Sequence, residues 1–557
     1  MIRRSTEGLG VDVVETLIVG SGPAGLTLAM ELARGGRPCV VVESGELAPG
    51  PAQDLSIARI VDPSLHDDMS IAVSRRLGGA SNLWGGRCMR LDPIDFEPRA
   101  YAEGARWPMD FAEIEPFYEV ACRYCHSGEP VFDYPLDAAP LADDEFTPTS
   151  IERSSNKPAF QKAHWEMLSS SPLIDIRLGA TVVDMRPLEN GRVSLVRVVS
   201  RDGDRRDVPV ERVVVAAGGL ESTRLLLALQ RRRPALFGGP EGPLGRYYMG
   251  HVIGEIADIV FADARFEAAF DFALDGHGSF VRRRFIPSAR AQLRDNLPNM
   301  SFWPVVPPIA DARHRSGPLS AVTLALSAPR VSRWLVPEAI RKRHLSGSVD
   351  TLAHARNIGA DLPRTLGFLG QFAYRRYLSR HRISGYFVRN PARRYGLAYS
   401  SEQSPRADSR VTLLRESDRF GMPRLNVDFR CRREDAEAVA RGHALFAKWL
   451  ARTGLGRVEY RRPEADNVDE IVARMGHGTH QIGTARMGYT RREGVVDRDL
   501  RTFDCPNLFV LSSAVFPTSG QANPTLSIVA FAARLAETLL REPARSRRTL
   551  NPAVARA

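Results

Sequence analysis

Three glycines near the start of the chain are spaced to hold a pyrophosphate. Gly20, Gly22 and Gly25 follow the short apolar run Leu17-Ile-Val19, and Leu26 to Ala33 then reads as a helix that Gly35-Gly36 ends. The first glycine permits a tight turn, the second lets backbone approach a diphosphate, and the third lets helix pack on strand. Pro23 and Ala24 open a helix whose N-terminus offers N–H groups to an anion. A second apolar strand, Cys39 to Val42, ends in Glu43, which is placed to accept hydrogen bonds from a ribose. Strand, glycines, helix, strand and acid in register describe a dinucleotide site.

Other stretches combine glycine with polar or aromatic residues in the same dense way. Arg75-Arg-Leu-Gly-Gly-Ala-Ser-Asn-Leu-Trp-Gly-Gly86 surrounds one large aromatic with small residues, so backbone there must pass close to something flat or polar. Val213 to Gly219 is a second buried strand ending in glycines, followed by a helix from Glu221 to Leu229. His477-Gly-Thr-His-Gln-Ile-Gly-Thr-Ala-Arg-Met-Gly488 and Phe516-Pro-Thr-Ser-Gly-Gln-Ala-Asn-Pro-Thr525 close the chain before an apolar helix. Cys122-Arg-Tyr-Cys125-His126 matches a haem-attachment pattern, but it lies in an amphipathic helical stretch from Ile114 that needs no cofactor. No His or Cys set stands at zinc spacing, so no metal is expected.

The elements that must position these groups fall into a recognisable order. Between Thr181 and Val215 three strands and two tight turns form an antiparallel meander, which feeds the second glycine pair. Residues 256 to 330 show no clear period. Leu366 to Leu378 repeats apolar residues at 366, 369, 372/373 and 377, and a long helix runs from Glu434 to Arg452. At 557 residues the chain needs more than one core. It shows no secretory leader and no span of ~18 uncharged apolar residues, so a cytoplasmic location is the default expectation. Six scattered cysteines make no disulfide framework. The net charge is +11, and residues 330–394 alone hold 14 Lys or Arg against 3 Asp or Glu, that is 14 − 3 = +11.

In these motifs the chain resembles the glucose–methanol–choline (GMC) oxidoreductases, FAD-dependent enzymes that oxidise alcohols. The resemblance covers about residues 14–110, 212–251 and 400–540, and within the family it is nearest the pyranose-oxidase-like, sugar and glycoside oxidase branch. It implies an α/β fold with a Rossmann-like FAD-binding domain carrying the meander (1–255 and 466–545). An antiparallel-sheet substrate domain (256–465) would carry the basic insertion 330–394, with a disordered tail at 546–557. It places the catalytic histidine at His480 and its partner at Asn523, where other members have a second histidine. It implies FAD contacts from Gly20, Gly22, Pro23, Ala24, Gly25, Glu43, Ser44, Gly78, Gly79, Ser81, Asn82, Leu83, Val182, Ala217, Gly218, Ser513, Ala514, Asn523, Pro524 and Thr525. Some members attach FAD through a histidine in the Gly-Gly loop; Leu83 stands there in this chain, which implies dissociable FAD.

Alcohol oxidation removes a proton and a hydride, and histidine suits the first task because its unperturbed pKa of about 6.5 lies near working pH. His480 is then the general base and Asn523 the group that orients the substrate oxygen, although Asn523 could instead cap the helix after Pro524. His251 and His477 read as structural or adjacent to the cofactor. The substrate is expected to be a small-molecule alcohol on a sugar, glycoside or aminoglycoside-like molecule, with oxygen, a quinone or a protein as electron acceptor. A lyase of the same fold and a non-catalytic FAD-binding protein are the alternatives. Nucleic acid is not expected, because no binding motif accompanies the charge. The basic segment reads as a solvated lid, or as a peripheral membrane or partner surface.

Overall fold

A computed structural model describes residues 1–136, 145–328 and 349–543. Part of the basic segment (329–348) and the expected tail at 546–557 lie outside the described residues. The apolar run Leu17-Ile-Val19 belongs to the strand Val14–Val19, which is flanked by parallel neighbours on both sides. Leu17 sits beside Val40 of Cys39–Glu43 and beside Val213 of Arg205–Val215. Leu17 and Ile18 are fully buried. A strand enclosed on both faces has no polar side to alternate, so it reads as continuous apolar sequence.

This sheet runs in the order Ile2–Arg3, Ile174–Leu178, Cys39–Glu43, Val14–Val19, Arg205–Val215, Val193–Ser200, Ala180–Pro187. With Arg205–Val215 the last two strands form the meander read between Thr181 and Val215, Val193–Ser200 lying between the other two and antiparallel to both. Near its C-terminal end Arg205–Val215 takes on a further parallel strand, Leu508–Val510, with Val213 beside Leu508 and Val215 beside Val510. Asn507 fixes that branch point: its amide donates to the carbonyls of Val193 and Glu211 and accepts from the amide of Val193. The C-terminal helix Thr525–Arg541 packs on the glycine-fingerprint helix Pro23–Arg34. The approach is close enough that a Cβ on Gly35 would lie 2.4 Å from Leu540.

A second sheet, wholly antiparallel, orders Met300–Val305, Arg394–Glu402, His251–Phe261 and Gly456–Tyr460. The helix Arg433–Arg452 seats Phe446 and Trp449 on it, with Phe446 stacked on Phe302 at 4.8 Å between centroids. The absence of a period after residue 256 follows from burial: Val252, Ile256, Ala257, Ile259, Val260 and Phe261 are all inside. A third small sheet sets Ala273–Leu274, Phe280–Arg283, Ile151–Ser154 and Arg87–Cys88 side by side. The chain is thus a mixed α/β protein with a Rossmann-type layer and an antiparallel sheet beside it.

Two expected helices differ in detail. Pro116 divides the stretch from Ile114 into Phe111–Ile114 and Phe117–Cys125, since it can begin a helix but not continue one. Cys122 and Cys125 lie buried in the core, and burial pushes the Cys122 thiol up to about 12. The stretch from Leu366 is helical as Leu362–Ala373, then widens into a π-turn at Tyr374–Leu378. Its apolar stripe does not face the core. Leu366 is 60% and Tyr377 52% exposed, while Phe368 and Phe372 turn inward against Tyr386.

His443, in Arg433–Arg452, is enclosed by Phe302, Tyr399 and Tyr460, and among the described residues neither ring nitrogen has a partner. Burial drives its pKa down to about 3. The unfolded chain therefore takes up this proton near the ordinary histidine value of about 6.5, whereas the folded chain does not until about 3. Stability is unaffected above pH 7 and falls as pH drops through that window, by up to about 1.4 kcal/mol per unit. Urea unfolding at pH 7 and pH 4.5 should show His443→Leu losing less stability on acidification than the wild type. An identical loss in both would contradict the assignment.

Candidate functional site

The strands Val14–Val19 and Arg205–Val215 end side by side, and both turn away on glycine. Gly20 adopts φ +107° because a Cβ there would lie 2.6 Å from the carbonyl of Ala216. At the carboxyl ends of these strands opens a cavity of about 2210 Å³. This is more than twice the ~1,000 Å³ at the upper end for ordinary ligand pockets, which leaves room for a dinucleotide and a second molecule. Gly20, Gly22, Pro23, Ala24, Glu43, Ser44, Gly79, Ser81, Leu83, Val182, Ala217, Gly218, Ser513, Asn523, Pro524 and Thr525 all line it.

The residues fit a dinucleotide at one end. No side chain caps Pro23–Arg34, and a Cβ built on Gly22 would meet nothing within 4 Å, so the helix N-terminus opens onto the cavity. Glu43 is buried and already oriented: Oε2 accepts from the amide and hydroxyl of Ser21 at 3.1 and 2.6 Å, and Oε1 from the amide of Gly45 at 2.8 Å. Arg75, at the start of the Gly-Gly loop, also lines the cavity. It donates to Ser44 at 2.9 Å and Ser56 at 2.6 Å and pairs with Glu221.

Four of the expected contacts do not line the cavity, each for a packing reason. A Cβ on Gly25 would lie 2.1 Å from the carbonyl of Gly20, so this glycine serves helix–strand approach. Gly78 is a left-handed turn residue under Gln161. The amide of Asn82 is spent on the carbonyls of Leu77 and Gly79, bracing the loop from behind. Ala514 is fully buried and offers its carbonyl to the amide of Ala485.

That last bond belongs to a short ladder joining the two C-terminal motifs. Gly483, Ala485 and Met487 donate to Ser513, Ala514 and Val515 respectively, and the hydroxyl of Ser513 donates to the carbonyl of Gln481 at 2.7 Å. On the other side Met249 and Ile482 exchange backbone hydrogen bonds at 2.9 and 3.0 Å. His480 is thereby held over the cavity with His251 beside it, their Nδ1 atoms 2.8 Å apart. Asn523 lines the same cavity just before Thr525–Arg541. Pro524 occupies the cap position with no side-chain hydrogen bond, so Asn523 does not act as the cap.

His251 was the residue the sequence undervalued: it is 1% exposed, and burial lowers its pKa to about 4 although the carbonyls of Ser519 and Gly520 partly oppose this. With His477 it completes a trio whose donor atoms lie within 4.8 Å of one another. Positions so far apart could not show this set by spacing. Two nitrogens on a tetrahedral ion with bonds of about 2.1 Å would stand ~3.4 Å apart. The 2.8 Å separation of His251 and His480 is that of a hydrogen bond.

Comparison with known proteins agrees with this geometry. Residues 405–532 match the GMC oxidoreductase family model and residues 15–56 an FAD-binding domain. A 2-methyl-1,2-propanediol dehydrogenase of Mycolicibacterium austroafricanum is 22% identical, the alignment covering 95% of this chain and 96% of that one. Paromamine 6'-oxidase of Streptomyces fradiae is 22% identical over 95% of this chain and 91% of its own. A C-glycoside 3-oxidase of Arthrobacter globiformis is 33% identical over 22% of each. Among solved structures, pyridoxine 4-oxidase from Mesorbium loti superposes with a TM-score of 0.53 at 16% identity, covering 95% of this chain and 100% of that one. Residues 405–532 are thus a GMC oxidoreductase domain and 15–56 part of an FAD-binding domain, and over nearly its whole length the chain is similar to proteins named as dehydrogenases and oxidases.

Gly22 and Gly25 separate binding from packing. Gly22→Val should keep the wild-type melting temperature and lose most of its flavin absorbance at 450 nm. Gly25→Ala should lose flavin and also melt several degrees lower, because its methyl group meets backbone. A Gly22→Val protein purified with a full complement of flavin would contradict the placement of the diphosphate.

Proposed function

We propose that the protein oxidises an alcohol group on a sugar, glycoside or aminoglycoside-like molecule to a carbonyl, with His480 as general base and non-covalently held FAD. The observation that carries this reading is that His480 and Asn523, from separate loops, face one cavity that also contains the glycine cradle. The relatives named for aminoglycoside and C-glycoside oxidation support the substrate class.

When bound, FAD supplies the hydride acceptor at flavin N5. The chain's own residues have three tasks. Asn523 lines the cavity, where its amide can hold the substrate oxygen. His480 takes the hydroxyl proton at Nε2, which requires its own proton to sit on Nδ1. His251 selects that tautomer. It is kept neutral by burial, and its Nδ1, 2.8 Å from that of His480, can then accept the His480 proton. Leu83 lines the cavity and carries no nucleophile, which supports dissociable FAD.

In anaerobic stopped flow, His480→Ala should reduce flavin ~10²- to 10⁴-fold more slowly while retaining FAD. His251→Phe should lose roughly tenfold, the scale of an orienting partner. An unchanged rate for His480→Ala would reject the base assignment, and an unchanged rate for His251→Phe would reject the tautomer role. Acid precipitation should leave the yellow chromophore in the supernatant; colour in the pellet would show a covalent bond.

A further inference from the structure

Arg87, Arg282 and Arg284 line the cavity from a small sheet that sets Arg87–Cys88, Ile151–Ser154 and Phe280–Arg283 in adjacent strands, Arg284 directly following the last. Arg282 stands directly across from Glu152 in the register, and Arg153 is paired with Cys88 on the other side. Three guanidiniums converge on that one carboxylate: Arg282 at 3.0 Å, Arg284 closer still, and Arg87 at 3.6 Å. A fourth, Arg376, enters from the π-turn and has no carboxylate partner among the described residues; it donates to the carbonyl of Ile383 at 2.6 Å. All four line the cavity, and Arg382 stands behind them.

These are not solvated surface charges. Arg282 and Arg284 expose 4% and 2% of their side chains, and the buried Nε of each has no hydrogen-bond partner. Trp303 covers both guanidiniums, at 5.5 and 4.1 Å from its ring centre. Burial lowers the pKa of Arg282 to about 9 and also lowers those of Arg284 and Arg376. Glu152, although burial opposes its charge, is held below the ordinary carboxylate range by Arg282, Arg284 and Arg87. The other carboxylates on the cavity are engaged elsewhere: Glu255 with Arg461, Asp311 with Arg313, Asp418 with Arg224 and Glu221 with Arg75, while Glu43, Asp67 and Asp350 accept from the backbone amides of Gly45, Gly478 and Ala353. Arg282 and Arg284 are buried, Arg376 half-buried and Arg87 35% exposed, and the anions facing them are Glu152 and, toward Arg284, Asp92, so cations still outnumber anions and a further anion entering the cavity would offset the cost.

We propose that this arginine wall is a subsite for an anionic group on the substrate, a carboxylate or a phosphate, so that the alcohol oxidised belongs to an acidic sugar or glycoside. This rests on the reading of the enzyme as a sugar or glycoside oxidase and narrows it away from cationic aminoglycosides. Arg284 donates to Ser301 at 3.0 Å, and Ser301 is joined through Ser400 to Ile253 in the strand that begins at His251, which puts the subsite on the sheet that carries that histidine. A planar guanidinium fork suits either oxyanion in bidentate fashion.

The test uses FAD-loaded enzyme mixed anaerobically with methyl glucuronide, glucose 6-phosphate and neutral methyl glucoside, following flavin bleaching. An acidic compound should exceed the neutral one at least 100-fold in kcat/KM, and whichever of the two acids is preferred identifies the oxyanion. Arg376→Met should raise KM for that acid tenfold or more with a smaller change in kcat, and Arg376→Lys should restore part of it. Inorganic sulfate, at constant ionic strength against chloride, should raise the melting temperature of the FAD-loaded protein. Equal use of neutral and acidic compounds would overturn the subsite while leaving the oxidase reading intact. Bleaching by none of them would count against that reading, and sulfate stabilisation would then still report on the wall itself. Stabilisation of FAD-free protein only would assign the arginines to the cofactor and overturn the proposal.

Discussion

The seating of Leu508–Val510 against Val213–Val215 is the constraint on which the site depends. Everything that could do chemistry near the C-terminus is placed by reference to this short strand. Upstream, the His480 loop is laddered to Ser513–Val515 immediately after it. Downstream, Thr525–Arg541 closes on the fingerprint helix and leaves Asn523 at the cavity edge. Asn507 makes the junction specific, because its amide satisfies backbone groups that would otherwise be buried without partners where two strands diverge.

The two ends of the cavity differ in their physics. The nucleotide end is made of backbone: glycine turns, an uncapped helix terminus and one carboxylate held by neighbouring donors. It needs little from individual side chains beyond their smallness. The reacting end is made of buried titratable groups whose charge states are set by burial and by one another. His251 is kept neutral, the arginines remain cationic at a cost, and Glu152 is ionised by their presence. A cavity of this kind has a low local dielectric, so each fixed charge acts more strongly on an entering group than it would in water.

Much of the nucleotide end was legible in the sequence because its signals are local. Gly20, Gly22 and Glu43 sit within one strand–helix–strand unit, and period and turn chemistry suffice to read it. A motif does not say which of its residues face the cavity: Gly25, read as the glycine that lets helix pack on strand, meets the Gly20 carbonyl, and Gly78 and Asn82 brace the loop whose neighbours line the cavity. The stripe at Leu366, Leu369 and Tyr377 has helical period, yet period says only that one face is apolar and not which way it turns. His251 and the wall of Arg87, Glu152, Arg282 and Arg376 were illegible for a different reason. They are assembled by register between strands distant in sequence, and no spacing in the chain records that neighbourhood.

The central claim is that front and back of the polypeptide enclose one isoalloxazine ring, gripped by its nucleotide at the glycine cradle and facing His480 and Asn523. A crystal structure of the FAD-loaded enzyme tests it most directly. The diphosphate is expected at Gly20–Ala24 and the flavin N5 edge opposite the imidazole of His480, with the arginine wall across the remaining space. A ring seated away from His480, or a diphosphate bound elsewhere, would contradict it.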